Sequence, residues 1–384
     1  MRGWFFLRSR VFSVNLKLMA CLIVSNGHGE DSIALHIIKA IQKRDPSMQV
    51  QAFPLVGEGR CFKAHNIDVV GHNPIFPSGG FIRSLSVLLA DLKAGLWGHI
   101  RRQRKQIKDL AVRAEFVFAV GDVFCLMMAR KTGVPVYFLP TAKSSTFMPH
   151  SVLERFFIRR WAVHSFPRDQ LTTDHFLKYH LPASFFGNPM MDRLRTDRRV
   201  LSLAAQEKMI AILPGSRQES FENLVYILRC CECLHKTSES LRFVCAYVKG
   251  LDLAAVADRV GASLHLVNDE DYRLTYPQEG LEIRFTTDFL ACINQAHMCI
   301  GLAGTANEQA LYLGKPVLCF EGFGPQSTLQ RFREQQRLMG DGLHICEIRE
   351  YSHIVQKVLH CLQVPKKSLP ADQSAAEEIV GYTS

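Results

Sequence analysis

The sequence predicts an α/β protein made of two Rossmann-like, doubly wound domains that face each other across a cleft. Three observations lead to this fold class. Short apolar runs alternate with amphipathic stretches, the alternation stops at residues 187–200 and then starts again, and 384 residues give room for two cores of typical domain size. We therefore place the domains at 18–190 and 191–365, between a basic aromatic extension at 1–17 and a polar tail at 366–384.

The first domain starts with a βα unit. LKLMACLIV predicts a buried strand, SNGHGED a loop, and SIALHIIKAIQKR a helix with apolar residues three and four apart. QVQAFPLVG and NIDVVG are typical of further short strands, and AEFVFAVGD, VFCLMMARKTG and VPVYFLP repeat the order strand, helix, strand. Continuous apolar runs of this kind are typical of buried parallel strands.

The second domain repeats the same alternation after GNPMMDRLRTDRRV, where Gly, Pro and charged residues replace the periodic pattern. KMIAILPGSR predicts a strand and its following turn, and a long helix follows. The remaining strands are predicted at LRFVCAYV, LHLVN, HMCIGLAG and KPVLCF. Two such halves joined by a short hinge indicate two Rossmann-like domains.

Charge and cysteine usage narrow the class of protein. Lys and Arg exceed Asp and Glu by 46 to 36, and this net charge of +10 favours phosphate-bearing partners: nucleic acid, anionic lipid or a phosphorylated substrate. The chain has no helix-turn-helix, zinc-finger or RNP signature, so we predict no nucleic-acid partner. The 12 cysteines are scattered without paired CxxC spacing, which favours a reducing cytoplasm and predicts no metal site. No run reaches the roughly 18 apolar residues of a membrane span.

Two loops of the first domain are candidate sites, because ligands of open parallel sheets bind beyond the carboxyl ends of the strands. In SNGHGED, Gly27 and Gly29 let backbone approach a ligand and the helix start favours anions; the alternative is a glycine turn in which Glu30 or Asp31 caps the helix. His28 of this loop is a catalytic candidate. Asp122, at the end of the apolar strand AEFVFAVGD, is predicted either to cap the next helix or to act as a base.

Two loops of the second domain have the chemistry of diphosphate binding. LPGSR places Gly215, Ser216 and Arg217 at a strand-to-helix turn, where backbone N–H groups and a guanidinium can hold phosphate; a surface ion pair of Arg217 with Glu219 is the alternative. GLAGTANEQALYLGKPV is a second such turn. Gly304 and Thr305 open its helix, and Glu308 in the first turn either complements the helix dipole or holds ribose hydroxyls; these three residues join the candidate set.

These motifs resemble the inverting glycosyltransferases of the lipid-A-disaccharide synthase type, which have the GT-B fold. LPGSR is similar to the donor-phosphate motif of that family, GLAGTANEQALYLGKPV to its second donor segment, GNPMMD to its interdomain motif, and AVGD to its Gly-x-Asp strand end. The resemblance runs from about residue 18 to about 332. SNGHGED departs from the first loop of the family, Glu219 replaces an acid expected at 220, and Asn188 replaces a His, so the chain resembles a divergent branch.

The resemblance implies transfer of a sugar from a UDP-sugar, with inversion, to an acylated sugar phosphate or another lipid acceptor, without a cofactor or a metal. The implied reaction joins UDP-2,3-diacylglucosamine to 2,3-diacylglucosamine 1-phosphate. Asp122 and His28 are then catalytic, and Gly27, Gly29, Glu30 and Gln326 join the binding set. The alternatives are a UDP-sugar 2-epimerase or a GT-B transferase with another acceptor. Asp269-Glu270-Asp271 has the DxD spelling of a manganese motif, although a solvated acidic loop explains it more simply.

The stretch 81–110 predicts either a buried helix that continues into a basic exposed one or a patch that contacts anionic lipid. Apolar residues at spacings of three and four come first, and five basic residues follow at Arg101, Arg102, Arg104, Lys105 and Lys108. Trp4, Phe5 and Phe6 extend the lipid-binding alternative. We therefore expect a cytoplasmic protein held peripherally at the inner membrane face, and a homodimer is compatible with this interpretation.

Overall fold

The chain folds into two compact units in a computed structural model. The structure describes residues 21–27, 29–71, 96–110, 114–146, 148–217, 219–278, 280–325, 327–364 and 374–383. Unit 1 consists of Met1–Lys143, His150–Phe186 and Glu377–Ser384, and unit 2 consists of Ser144–Pro149 and Gly187–Ala376. The extension at 1–17 and residues 81–95, the apolar first part of the stretch 81–110, lie outside the described residues.

Unit 1 contains a six-stranded parallel sheet in the order β3-β2-β1-β4-β5-β6. This is the strand order of the Rossmann fold. The strands are apolar because both faces of the sheet are covered, and Cys21 to Val24 of the central strand are fully buried. The strands are β1 (Cys21–Ser25), β2 (Val50–Pro54), β3 (Asp68–Val69), β4 (Phe116–Gly121), β5 (Val136–Pro140) and β6 (His164–Ser165).

The helices of unit 1 follow the predicted alternation. The periodic stretch SIALHIIKAIQKR forms a helix that begins three residues earlier than predicted, at Gly29 within the segment expected to be a loop, and the buried face of this 16-residue helix carries isoleucines, leucine and alanines. The helices are α1 (Gly29–Arg44), α2 (Arg60–Lys63), α3 (Leu96–Leu110), α4 (Val123–Ala129), α5 (Val152–Trp161) and α6 (Gln170–Lys178).

Unit 2 contains an eight-stranded sheet in the order β14-β13-β12-β7-β8-β11-β10-β9. Neighbouring strands are parallel from β14 to β11, and the β9–β10–β11 portion is antiparallel. The strands are β7 (Lys208–Leu213), β8 (Leu241–Ala246), β9 (Ser263–Leu266), β10 (Tyr272–Tyr276), β11 (Leu281–Thr286), β12 (Met298–Gly301), β13 (Val317–Phe320) and β14 (Leu343–Cys346).

Except for the last helix, the helices that follow residue 187 cover the sheet of unit 2. They are α7 (Ser220–Thr237), α8 (Leu253–Val260), α9 (Phe289–Gln295), α10 (Thr305–Tyr312), α11 (Leu329–Met339) and α12 (Tyr351–Cys361). The final helix, α13 (Ala375–Thr383), lies in the stretch that we described as a polar tail.

The start of α13 is fixed by a buried carboxylate of the GNPMMD segment. Asp192 is 5% exposed and accepts hydrogen bonds from the N–H groups of Ala375 and Ala376, each 2.9 Å long, and from the Ser374 hydroxyl. A carboxylate at this position satisfies helix N–H groups that have no partner inside the helix. The acidic residue of the segment therefore has a structural role within unit 2.

Each unit has its own hydrophobic core. The core of unit 2 is built on β7, β12 and the face of α7 that carries Leu224 and Leu228, and the core of unit 1 on β1, β4 and α4. The α/β fold class with two Rossmann-like units is thereby confirmed. Among the helices that the structure describes, none combines the length and the apolar character needed to cross a membrane.

Candidate functional site

Three loops of unit 2 leave the same edge of its sheet. They follow β7, β12 and β13, which are adjacent and parallel, so their carboxyl ends lie side by side. The register pairs Gly301 at the end of β12 with Leu213 at the end of β7, and the Leu302 N–H donates to the Leu213 carbonyl over 2.9 Å. The loops are 214–219, 302–304 and 321–328, and we call them the phosphate loop, the glycine loop and the third loop.

The phosphate loop exposes the groups that could hold an anion. Gly215 has a φ of 99°, a left-handed conformation that favours glycine, and the turn leaves Ser216 and Arg217 exposed. Within the described part of the chain Arg217 has no ion-pair partner, and Glu219 instead packs against Gly324 of the third loop, where an added Cβ would lie 2.6 Å from the Glu219 Cδ. The surface ion pair that we weighed as the alternative for Arg217 is therefore absent from these residues.

The glycine loop is fixed from below by a buried asparagine. Asn307 is fully buried, and its Nδ2 donates to the Gly301 carbonyl over 3.2 Å and approaches the Gln335 Oε1 at 3.4 Å. Gln335 in turn donates from Nε2 to the Gly304 carbonyl over 2.8 Å. These bonds hold the main chain of the loop while Gly304 and Thr305, at the start of α10, stay exposed. Glu308 follows in the first turn and is half-buried.

The third loop was missed as a unit by sequence reasoning, which singled out only Gln326. Asn223 of α7 is 1% exposed and accepts the Phe323 N–H at 2.7 Å, while its Nδ2 donates to the Phe323 carbonyl at 3.4 Å. Ser327 donates to the Leu302 carbonyl at 3.1 Å, so the third loop is tied to the glycine loop as well. The Gly-x-Gly spelling of 322–324 after the apolar run VLCF was the signal that could have revealed it.

The loops of unit 1 that carry candidate residues also meet at one sheet edge. They follow β1, β4, β5 and β6, which are consecutive strands of the sheet. The loop after β1 packs tightly on both sides: Gly27 has a φ of 118° and a Cβ there would lie 2.4 Å from the Val56 carbonyl oxygen of the loop after β2, while Gly121 at the end of β4 has a φ of 149° and a Cβ there would lie 2.6 Å from the Asn26 side chain. Gly29, in contrast, has open space where a Cβ would be.

Glu30 is the carboxyl group of this edge with the most altered acidity. It lies in the first turn of α1, half-buried. The pKa of Glu30 is raised to about 7, mainly by burial and also by the neighbouring charges of Asp122 and Asp31, while the Arg168 guanidinium acts in the opposite direction. A carboxyl group with this pKa can take up or release a proton near neutral pH.

Asp122 and Arg168 complete the edge. The Asp122 side chain accepts the Cys125 N–H at 3.0 Å and so caps α4, which was one of the two roles that we predicted for it. Its use as a base stays a prediction. Arg168, three residues after β6, donates from Nη1 to the Thr141 carbonyl over 3.3 Å, and sequence reasoning did not select it because no motif marks it.

The structure thus groups the predicted residues by unit. It places Gly27, Gly29, Glu30 and Asp122 at the carboxyl edge of the unit 1 sheet. It places Gly215, Ser216, Arg217, Gly304, Thr305 and Glu308 at the carboxyl edge of the unit 2 sheet. The predicted residues His28 and Gln326 lie outside the described residues.

The acidic segment 269–271 lines a separate cavity of about 710 Å³ in unit 2, beyond the ends of β9 and β11. Two of its three carboxylates are paired with cations: Glu270 with Lys249, and Asp271 with Arg284 at 2.9 Å. Among the described residues no group of three or more His, Cys, Asp or Glu side chains is arranged to hold a metal ion. The segment is therefore part of an ion-paired surface.

Two Rossmann-like units of this kind define the GT-B fold. The UDP-GlcNAc 2-epimerase of Methanocaldococcus jannaschii matches 95% of this chain over 99% of its own, with a TM-score of 0.59 and 12% identity. MurG of Acinetobacter baumannii matches 94% of this chain over 98% of its own, with a TM-score of 0.53 and 13% identity. At these identities the likeness concerns the fold.

Part of the chain is also similar in sequence to a curated protein. Lipid-A-disaccharide synthase 1 of Legionella pneumophila strain Lens is 26% identical over 145 residues, which are 36% of this chain. The match spans only 34% of the length of that relative. No protein-family model matches the chain.

Proposed function

We propose that the chain is an inverting glycosyltransferase that takes its sugar from a UDP-sugar and passes it to a lipid-linked acceptor, in a reaction like that of lipid-A-disaccharide synthase. The observation that carries the proposal is the set of three loops in unit 2 at the carboxyl edge of three adjacent strands, where buried Ser327 joins the third loop to the glycine loop and buried Asn223 and Asn307 fix their main chain. Fixed N–H groups beside an exposed arginine are suited to a diphosphate.

In this proposal unit 2 holds the donor. The N–H groups at Ser216 and Thr305 and the Arg217 guanidinium neutralise the charge that builds up on the leaving diphosphate, so the residues of the chain supply the electrostatic stabilisation that a metal ion supplies elsewhere. Glu308, half-buried in the first turn of α10, accepts hydrogen bonds from the ribose hydroxyls. Gln326 remains in the proposed donor set.

Unit 1 takes the acceptor. Its carboxyl edge offers two acids, Asp122 and Glu30, and the proposal keeps His28 as a third group for proton handling. The acceptor oxygen bonds to the anomeric carbon of the sugar, its proton goes to one of these groups, and the bond from that carbon to the diphosphate breaks with the electron pair leaving on UDP. Glu30 fits this step because its pKa of about 7 leaves a large fraction of the carboxylate ready to accept a proton.

The lipid-linked acceptor is supported by the similarity to lipid-A-disaccharide synthase and by the basic helix α3. Arg101, Arg102, Lys105 and Lys108 of this helix are exposed, while Ile107 is fully buried. A helix anchored by one face with basic residues on the other is suited to a cytoplasmic protein that binds peripherally to anionic lipid.

Donor binding is tested by calorimetric titration with UDP. Arg217→Ala is expected to weaken UDP binding about 10-fold to 100-fold, because a charge-assisted hydrogen bond to phosphate is lost. The matched control is Arg337→Ala, which removes an equally exposed arginine from the last turn of α11. If wild-type protein does not bind UDP, or if both variants bind it equally, the assignment of the phosphate loop fails.

The acceptor is tested by incubating the protein with UDP-2,3-diacylglucosamine and 2,3-diacylglucosamine 1-phosphate, followed by mass spectrometry of the lipid products. The expected product is the tetra-acylated disaccharide 1-phosphate. UDP binding without this product rejects the lipid A reaction but leaves the donor site standing.

A second candidate is a UDP-sugar 2-epimerase, because several of the solved structures with this fold are UDP-GlcNAc 2-epimerases, among them the one from Neisseria meningitidis at 14% identity and a TM-score of 0.57. An epimerase needs no acceptor. Incubation with UDP-GlcNAc alone, followed by separation of the two C2 epimers, therefore distinguishes the two activities.

A further inference from the structure

Helix α5 of unit 1 turns large apolar side chains toward solvent. Val152 is 75% exposed, Leu153 62% and Phe156 59%, whereas Ile158 on the opposite side of the helix is 1% exposed. A surface helix normally buries its apolar side and exposes its polar one. The outer side of α5 is therefore an apolar surface without a partner in the described part of the chain.

The spacing of these residues forms one continuous strip. Val152, Phe156 and Arg160 are four positions apart and so lie above one another along the helix, and Leu153 lies beside Phe156 three positions away. The strip is apolar over the first turn and a half and ends in exposed Arg160 and in exposed Arg159, whose guanidinium also donates to the Tyr179 carbonyl. We call Val152, Leu153, Phe156, Arg159 and Arg160 the outer face of α5.

The rest of the helix is held firmly. Ser151 and Glu154 form a reciprocal capping box at its start, and the Arg155 guanidinium lies 3.9 Å from the centre of the Tyr179 ring. Phe157 stacks on Trp161 with the ring centres 4.4 Å apart. These contacts use the sides of α5 that point along or into unit 1, so the outer face is presented by an ordered helix.

The positive charge of α5 favours an anionic partner for its outer face. The helix contains three arginines and one acid, Glu154, whose two carboxylate oxygens bind the Lys143 ammonium at 2.8 and 2.9 Å. A second copy of the chain is a poor partner, because the outer face carries arginines and no acid, so the pairing of two such faces would cover arginines without a counter-charge. Three exposed side chains also fall far short of the roughly 800 Å² that each partner of a stable protein interface buries.

We propose that the outer face of α5 docks on the surface of an anionic lipid bilayer. Val152, Leu153 and Phe156 enter the boundary between head groups and acyl chains, and Arg159 and Arg160 pair with lipid phosphates. Apolar side chains backed by arginines on one helix side are the combination that holds interfacial helices on anionic membranes. This inference does not depend on the identity of the donor or the acceptor. With a lipid-linked acceptor, membrane binding brings the protein to its substrate.

The test is cosedimentation of the full chain with vesicles of phosphatidylcholine containing about 30% phosphatidylglycerol, and with vesicles of phosphatidylcholine alone. Wild-type protein is expected to bind the anionic vesicles and to bind the neutral ones much more weakly. The double variant Leu153→Ser, Phe156→Ser is expected to lose at least about tenfold in partitioning, and Arg160→Glu about tenfold. Phe156→Leu keeps an apolar side chain and is expected to retain most of the binding.

Matched controls come from unit 2. Leu266→Ser changes a leucine of β9 that is 66% exposed, and Lys236→Glu reverses one exposed charge on α7. Both are expected to bind as wild type. The proposal is overturned if wild-type protein does not bind anionic vesicles, if the α5 variants bind as well as the controls, or if neutral vesicles bind equally. It is also overturned if sedimentation equilibrium without lipid shows a dimer that Phe156→Ser abolishes, because the face then serves self-association.

Discussion

The substitution Gly301→Ala tests whether the packing beneath the glycine loop determines the donor site. A Cβ at this position would lie 2.0 Å from the Asn307 Oδ1 and 2.8 Å from its Cγ, well inside van der Waals contact. Asn307 is fully buried beneath the loop, so it cannot swing into solvent. The methyl group must therefore push Asn307 away from the carbonyl of residue 301 and from Gln335.

Two terms set the size of the effect. Overpacking of a well-packed interior typically costs about 1 to 3 kcal/mol, and a buried polar group that loses its hydrogen bonds costs about 1 to 3 kcal/mol. We expect unit 2 to lose roughly 2 to 5 kcal/mol of its free energy of unfolding, which corresponds to a drop in melting temperature on the order of 10 °C. UDP affinity falls as well, because the loop main chain that Asn307 and Gln335 hold is displaced.

The matched control is Gly304→Ala, three residues further along. No atom lies within 4 Å of a Cβ at Gly304, and its φ of −85° suits any residue. We expect an unchanged melting temperature in scanning calorimetry, while a methyl group at the start of α10 lowers UDP affinity in titration calorimetry if phosphate approaches there. Equal melting temperatures for Gly301→Ala and wild type would refute the reasoning.

Three further predictions concern protonation and cysteine reactivity. The pKa of Glu30 is about 7 in the folded state and 4.5 ordinarily, so the folded state binds more protons between these values and unit 1 loses stability as the pH rises through this window. Glu30→Gln is therefore expected to recover about 1 to 2 kcal/mol of the free energy of unfolding at pH 8. The same substitution is expected to reduce turnover more than Asp122→Asn does. His150 is 3% exposed, neither ring nitrogen has a hydrogen-bond partner, and burial lowers its pKa from 6.5 to about 4. The unfolded state then binds more protons between those values, so this histidine contributes about 2 kcal/mol of stability at pH 7.5 that is lost at pH 5. Because Glu30 acts in the opposite direction, this contribution is measured as the difference between wild type and His150→Gln. Of the 12 free cysteines only Cys61 and Cys233 are not buried, so iodoacetamide is expected to label at most these two in the native protein.

Each of these three predictions has a direct measurement. Urea unfolding followed by tryptophan fluorescence reports on unit 1, since the tryptophans at 4, 97 and 161 leave residues 187–376 without one. A pH dependence that is the same in His150→Gln and wild type contradicts the histidine prediction. A Glu30→Gln variant with undiminished turnover removes Glu30 from proton handling. Labelling of more than two cysteines, counted by mass spectrometry, contradicts the burial of the others.

Much of the architecture was predictable because local pattern encodes it. Continuous apolar runs such as CLIV and MIAIL can only be buried strands between covering helices, and the residues after each run therefore fall at the carboxyl edge of a sheet. On this ground LPGSR, the glycine loop and SNGHGED could be selected as loops at strand ends. The strand order of unit 2, with its antiparallel β9–β11 portion, has no such local signal.

The roles of single polar residues were harder to predict. Asp192 caps α13, which starts 183 residues further along the chain, and Asn223 fixes Phe323 at a separation of 100 residues. Hydrogen bonds across such distances leave no pattern in neighbouring sequence. From the sequence, Asp122 was either a cap of the next helix or a base; the structure shows that its side chain caps α4 and that its charge is one cause of the raised pKa of Glu30.

By itself the sequence determined that the chain forms two α/β halves and which loops leave their strand ends, because the periodicity of apolar residues is a local property. The tertiary structure alone decided which carboxyl group titrates near pH 7, which buried amides fix the loops of unit 2, and that α5 turns its apolar side outward. Burial, electrostatic neighbours and exposure are set by residues distant in sequence, and they exist only once the chain has folded.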